Sequence, residues 1–165
     1  MTCPHIILIG FMGVGKSTIG EILSQKIGFP FIDIDKEIQK QAGKSPEQIF
    51  DQDGQNVFRQ KENEILKVSL SQKRSAIIAL GGGGFQSKDN RTLIEKYGLS
   101  FWLDASWETI MIRLDEQEKK KRPLFKLHPL EEQQKGLFTQ RLSEYARANH
   151  RISTEGSPQE ISEKI

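Results

Sequence analysis

Residues 6–18 confine this chain to a narrow set of folds. Four apolar residues, Ile6-Ile7-Leu8-Ile9, run directly into Gly10-Phe11-Met12-Gly13-Val14-Gly15-Lys16-Ser17. The second segment fits the pattern G-x-x-x-x-G-K-[ST] of a phosphate-binding loop. Ile19, Ile22, Leu23 and Ile27 then recur at helical spacing. A strand, a glycine turn and a helix N-terminus make an anion site. Free backbone N–H groups point at the ligand, and the helix dipole favours negative charge. The cradle would comprise Gly13, Val14, Gly15, Lys16, Ser17 and Thr18. Lys16 would reach the β/γ-phosphates of a nucleoside triphosphate, and the Ser17 hydroxyl would hold Mg²⁺. The plainer alternative is a glycine-rich turn before a helix. Agreement of strand, loop, Lys-Ser and helix favours the phosphate loop.

The remaining bounds are consistent with an intracellular enzyme. A chain of 165 residues suggests one domain with one sizeable core. The formal net charge of +2 is nearly balanced, which argues against a strongly electrostatic nucleic-acid binder. Cys3 is the only cysteine, so neither an intrachain disulfide nor a cysteine metal cluster can form. No basic segment followed by a long apolar stretch opens the chain, and no run approaches membrane-spanning length. A cytoplasmic protein with no signal peptide, no membrane contact and no nucleic-acid partner is expected.

Short apolar runs alternate with helical patterns, which predicts a parallel sheet with helices on both faces. Strands are expected near 5–10, 29–33, 75–80, 99–103 and 150–153. Helices are expected near 16–27, 35–42, 46–51, 55–71, 88–96, 107–116, 131–147 and 158–164. Ser45-Pro46-Glu47-Gln48 and Ser157-Pro158-Gln159-Glu160 both read as capped helix starts. Two segments depart from the simple alternation. Residues 33–71 form a long, mostly helical insertion between the second and third strands. Residues 116–129 are dense in charge, contain Lys119-Lys120-Lys121-Arg122, and seem composed for the surface rather than the core. A mobile segment of this kind beside a phosphate loop can act as a lid.

Candidate chemistry clusters at the strand ends. Phe31-Ile32-Asp33-Ile34-Asp35 places two carboxylates where an open α/β sheet presents its ligand crevice. In an extended backbone both would lie on one side, one orienting the Mg²⁺ shell and the other taking a proton from an attacking hydroxyl. Alternatively, Asp35 caps the next helix and Asp33 is merely solvated. Asp104 is a rival Mg²⁺ carboxylate, but it and Ser106 sit where a helix needs a cap. Gly81-Gly82-Gly83-Gly84 ends another apolar strand, and four glycines are entropically costly for a plain turn. A floor that a ligand approaches closely is the favoured reading. Spacing alone makes Arg59 with Glu62, and Arg141 with Glu144, ordinary i,i+3 surface pairs. Arg122 could belong to a solvated basic run. His5, His128 and His150 lack metal-ligand spacing.

Taken in order, the motifs resemble the shikimate kinase family over about residues 5–160. They are Gly-Phe-Met-Gly-Val-Gly-Lys-Ser-Thr (10–18), Phe-Ile-Asp-Ile-Asp (31–35), Phe-Arg (58–59) with Glu62, Leu-Gly-Gly-Gly (80–83), Arg-Pro-Leu-Phe (122–125) and Arg-x-x-x-Tyr (141–145). The resemblance implies a three-layer α/β sandwich with a five-stranded parallel sheet, of the P-loop kinase type. It would be a single domain over 1–165, with a substrate-binding helical region at 33–71 and a lid at 116–129. It implies transfer of the ATP γ-phosphate to the 3-hydroxyl of shikimate, with Mg²⁺. A monomer is expected because each proposed group comes from one chain. By matching motif, Asp35 would bind the acceptor hydroxyls and act as base, and Asp33 would support Mg²⁺ through water beside Ser17. Arg59 and Arg141 would clamp the acceptor carboxylate, and Gly81, Gly82 and Gly83 would give backbone contacts. Arg122 would fold over the ATP phosphates and share catalysis with Lys16, and the region of Ser157-Pro158 would lie beside adenine. The chain departs from the family pattern at Ser143, where proline is usual, at Gly84, where a small apolar residue is usual, and in its lid. Gluconate kinase would keep the nucleotide chemistry without requiring the Arg59/Arg141 pair. A non-catalytic nucleotide-binding module is the other alternative, and no Asn-Lys-x-Asp motif supports a GTPase.

Overall fold

The computed structural model describes residues 4–165, and Cys3 lies outside them. Five parallel strands form one sheet in the order β2-β3-β1-β4-β5. They are β1 (His5–Ile9), β2 (Phe31–Asp33), β3 (Ile77–Ala79), β4 (Gly98–Asp104) and β5 (His150–Ser153). Consecutive residues Ile7, Leu8 and Ile9 are all buried, as are Ile77, Ile78 and Ala79. Successive strand side chains point to opposite faces, so this unbroken burial means that helices cover both. The expected three-layer α/β architecture is therefore present.

The central strand β1 pairs with β3 on one side and β4 on the other. The chain order reverses there, which is where such sheets bind ligands, at the carboxyl ends of the strands. The phosphate loop leaves β1 at this point and feeds α1 (Lys16–Ile27). Gly15, with φ +96°, is the N-cap of α1, and Gly28 closes the helix in the left-handed region.

The insertion after β2 folds as α2 (Ile34–Ala42), α3 (Pro46–Gln52) and α4 (Gln55–Leu70). Ser45 starts α3 with a complete capping box: its side chain accepts from Gln48 N at 3.2 Å, and its own N–H donates to Gln48 Oε1 at 2.8 Å. After β3 come a 3₁₀ turn (Gly84–Gln86) and α5 (Lys88–Tyr97), and after β4 comes α6 (Trp107–Arg113). The second predicted capping box opens α10 (Pro158–Ser162).

The charge-rich segment is more ordered in composition than its polarity suggested. It holds two short helices, α7 (Glu116–Lys120) and α8 (Pro123–Leu127), ahead of α9 (Glu131–Tyr145). Leu124 is buried in the hydrophobic core, and Phe125 packs against that core. The expectation that this stretch stays out of the core fails at Leu124, because one apolar side per short helix suffices to dock it. Arg122 caps α8 in extended conformation, with Pro123 at the first helical position.

Gly10 shows how tightly the loop is set into the sheet. Its φ is +140°, and an added Cβ would lie 2.5 Å from the Leu103 carbonyl oxygen of β4. Gly10→Ala meets backbone strain and a clash with backbone at once. It should lower the unfolding free energy by about 1–3 kcal/mol, measured by denaturant titration of the ligand-free protein. An unchanged midpoint would contradict this packing.

Candidate active site

Two cavities meet over the carboxyl ends of the strands. The larger, about 620 Å³, is lined by the phosphate loop, Asp33, Asp35, Arg113, Arg122 and Pro158. The smaller, about 240 Å³, is lined by Arg59, Glu62, Gly81, Gly82, Gly83, Arg141 and apolar side chains including Phe50, Phe58, Leu124 and Leu127. Met12, Asp35, Gly82 and Arg122 line both.

In the first cavity, the Lys16 ammonium donates back to Gly10 O at 2.7 Å and Phe11 O at 3.0 Å. Burial pulls its pKa down to about 8, against the opposing pull of Asp35. Anionic phosphates at α1 would restore its charge. Ser17 Oγ donates to Asp33 Oδ2 at 2.7 Å. The other Asp33 oxygen accepts from Asp35 N and Lys36 N, so Asp33, not Asp35, caps α2. β2 ends at Asp33, and Asp35 already lies in the first turn of α2. The two carboxylates therefore straddle a strand–helix junction instead of sharing one face of an extended strand. The rival Asp104 neither caps a helix nor faces the loop. It pairs with Arg151 at 2.7 Å, while Ser106 caps α6.

Asp35 sits between the cavities. Its Oδ1 is buried with no hydrogen-bond partner. Burial and the nearby Asp33 push its pKa up, while Lys16, Arg59 and Arg122 pull it down. A carboxylate with raised basicity and an open oxygen is suited to accepting a proton.

The glycine run makes room for side chains as much as for a ligand. A Cβ on Gly81 would lie 2.7 Å from Glu62 Oε1 and 2.8 Å from Asp35 Oδ1. One on Gly83 would lie 2.2 Å from Arg59 Nη2, and one on Gly84 would press on Leu80 and Glu62. Only at Gly82 would a Cβ meet no clash, its nearest neighbours being Met12 N at 3.4 Å and Arg141 Nη1 at 3.6 Å. The Tyr145 hydroxyl donates to the Gly82 carbonyl and anchors the turn.

Arg59 and Arg141 enter the second cavity from α4 and α9, each resting on an aromatic ring. Arg59 lies 5.4 Å from the Phe58 centroid, and Arg141 lies 5.5 Å from that of Phe11. The surface-pair reading of both arginines fails. Arg59 does bind Glu62, at 2.7 Å, but Glu62 is 0 % exposed. Glu144 pairs with Arg91 and Arg147 instead of Arg141. Among the described residues no carboxylate lies within 4.0 Å of Arg141. Arg122 binds Glu118 at 3.0 Å, and its Nε is buried with no hydrogen-bond partner. Arg113 is held by Thr154, at 2.8 Å to its carbonyl, at the far end of the larger cavity.

A model of the shikimate kinase family matches residues 12–165. The chain belongs to that family. It is 39% identical over 162 residues to the shikimate kinase of Thermodesulfovibrio yellowstonii, covering 98% of this chain and 92% of that one. Its structure resembles that of the Acinetobacter baumannii shikimate kinase in complex with shikimate, with a TM-score of 0.91 and 30% identity, over 99% and 90% of the two chains. The Aquifex aeolicus enzyme follows with a TM-score of 0.84 and 36% identity, over 97% and 92%.

The expected site residues Gly13 to Thr18, Asp33, Asp35, Arg59, Gly81 to Gly83, Arg122 and Arg141 each line at least one of the two cavities, whereas Phe11 and Tyr145 of the same motifs line neither. The residue-by-residue reading of the sequence underrated Glu62, Tyr145, Phe11 and Met12. Glu62 did leave a signal. It falls at helical spacing within Phe58, Ile65, Leu66 and Ser69, the buried stripe of α4. Phe11 and Met12 occupy unrestricted positions of the loop motif, where no periodicity marks them.

Burial pushes the Glu62 carboxyl up to about 7, although Arg59 opposes the shift. A folded-state pKa above the ordinary 4.5 means the native state holds a proton that the unfolded chain has lost. That stabilising contribution is complete below pH 4.5 and is eroded as pH rises through 7. Glu62→Gln should flatten the fall of unfolding free energy over this interval, read from denaturant midpoints at several pH values. An identical slope in the variant would contradict a buried, proton-holding Glu62.

Proposed function

We propose that this chain transfers the γ-phosphate of ATP to the 3-hydroxyl of shikimate, giving shikimate 3-phosphate. The observation that carries this reading is the junction of the two cavities. One has the charge and backbone geometry for a triphosphate, the other two guanidinium groups for a carboxylate, and Asp35 stands between them.

The donor side follows from the loop. Backbone N–H groups of Gly13–Thr18 and the positive end of α1 hold the β/γ-phosphates, and Lys16 adds a point charge. Ser17 Oγ and Asp33 Oδ2, 2.7 Å apart, are hard oxygen donors of the kind Mg²⁺ takes. No cluster of three or more potential metal-ligating His, Cys, Asp or Glu exists among the described residues. That suits an ion bound through one or two side chains, substrate phosphates and water. Mg²⁺, when bound, neutralises charge on the phosphate oxygens. Arg113 and Pro158 stand at the end of the cavity where the base would lie.

On the acceptor side, Arg141 without a carboxylate partner and Arg59 with an exposed edge would receive the shikimate carboxylate. A guanidinium fork binds a carboxylate directionally, and an acceptor lacking that group would leave the cations uncompensated. Asp35 Oδ1 would orient the hydroxyls and take the proton of the attacking 3-hydroxyl. Arg122, with an unspent Nε at the shared boundary, would stabilise charge spreading over the γ-oxygens. We assign residues 33–71 to acceptor binding and 116–129 to the lid, within a monomer. No helix of the described residues is long and apolar enough to cross a membrane.

Purified protein with Mg-ATP and shikimate should release ADP and form shikimate 3-phosphate, identified by mass spectrometry. Turnover confined to a different polyol acceptor would overturn the assignment. Asp35→Asn should lower kcat by about 10²–10⁴-fold while the protein still binds nucleotide. Arg59→Ala should raise the shikimate KM by roughly 10–100-fold with little change for ATP. An equal loss of ATP affinity would remove Arg59 from the acceptor side.

A further inference from the structure

The segment from Arg122 to Leu127 touches three places at once. Arg122 lines both cavities. Leu124 and Leu127 form part of the wall of the smaller one, opposite Pro46 and Phe50 of α3. Between them, Lys126 leaves α8 on the solvent side and reaches α3, where it binds Glu47 and, at 3.3 Å, Asp51. Glu47 and Asp51 are four residues apart, so they stand on one face of α3, one turn from each other.

We propose that Lys126 is a positioning residue for phosphoryl transfer: its ion pairs with Glu47 and Asp51 seat α8 on α3, and so set the apolar wall of the acceptor cavity and the direction of Arg122. The inference rests on the assignment of the smaller cavity to shikimate.

The physical argument turns on what else holds α8. It is five residues long, too short to be stable alone, and Leu124 is its only buried residue. Its place therefore depends on the contacts it makes with neighbouring elements. Lys126 is 45 % exposed on its side chain, so the pairs are screened by salt. A lone exposed pair contributes little, but one ammonium shared by two carboxylates on one helix face is a small network. Moving α8 would displace Leu124 and Leu127 from the acceptor and Arg122 from the boundary together. The phosphate loop and Arg113 would stay where they are.

The experiment compares wild type, Lys126→Ala, Lys126→Arg, Glu47→Gln/Asp51→Asn, and the combination of the first and last. Lys126→Ala should raise the shikimate KM about three- to tenfold and lower kcat by a smaller factor. The affinity for Mg-ATP without acceptor, and the thermal midpoint, should stay the same. Glu47→Gln/Asp51→Asn should reproduce the defect, and adding Lys126→Ala should make it no worse, because the same interaction is already gone. Lys126→Arg should restore most of the wild-type KM, and high salt should weaken shikimate binding more in wild type than in Lys126→Ala, where only the arginine–carboxylate contact is left to screen. An unchanged KM in Lys126→Ala overturns the proposal. So do additive losses in the combined variant, or weakened Mg-ATP binding of the same size. Wild-type protein inactive on shikimate would instead refute the acceptor assignment, which separates the two failures.

Discussion

The site is built around backbone that carries no side chains. Glu62 from α4, Asp35 from α2 and Arg59 all press against the glycine run at the end of β3, at distances that leave no room for a Cβ. Two helices can bring three charged groups this close only because Gly81, Gly83 and Gly84 yield the space. Arg59 binds Glu62 there, as a buried charge requires, while Asp35 Oδ1 is left without a hydrogen-bond partner. The Tyr145 hydroxyl fixes the turn from the opposite side through the Gly82 carbonyl. Gly82 is left as the one position of the run where a Cβ would meet only ordinary contact distances, and it is the one that both cavities share.

This explains why some of the site could be read from sequence and some could not. The phosphate loop is local: strand, turn and helix start lie within one continuous stretch, and each leaves its own signature. The capping boxes at Ser45 and Ser157 are local too, and both formed as their spacing predicts. Most element boundaries fell within two residues for the same reason. Arg59 and Arg141 are another matter. Their i,i+3 neighbours suggested surface pairs, and only tertiary packing sends Glu144 to Arg91 and buries Glu62. The glycine run was legible as something special, but its reason was not. The side chains that need the space come from α2 and α4, about 20–45 residues earlier in the chain. Leu124 was hidden by composition, because one buried leucine in a lysine-rich stretch barely alters the average. The ordered set of motifs carried the acceptor's identity, which the charges alone do not name.

Electrostatically, the ligand-free site is frustrated in a way that favours anions. Lys16 and Arg141 are both pulled down by burial, while Asp35 and Glu62 are pushed up. Each cation gains when an anion arrives, and Arg141, which has no carboxylate within 4.0 Å among the described residues, lines the smaller cavity. In the function proposed above, a triphosphate would answer Lys16 and the acceptor carboxylate would answer Arg141.

The start of α8 adds a last consequence. Arg122 precedes Pro123, and the proline ring keeps the preceding residue out of helical conformation. Arg122 is accordingly extended, with φ −105° and ψ 121°. Its backbone orientation is thus welded to the helix it begins. When α8 shifts, the root of the Arg122 side chain shifts with it. With the backbone set there by proline and helix, only the side chain's own rotamers are left to be ordered when a ligand arrives.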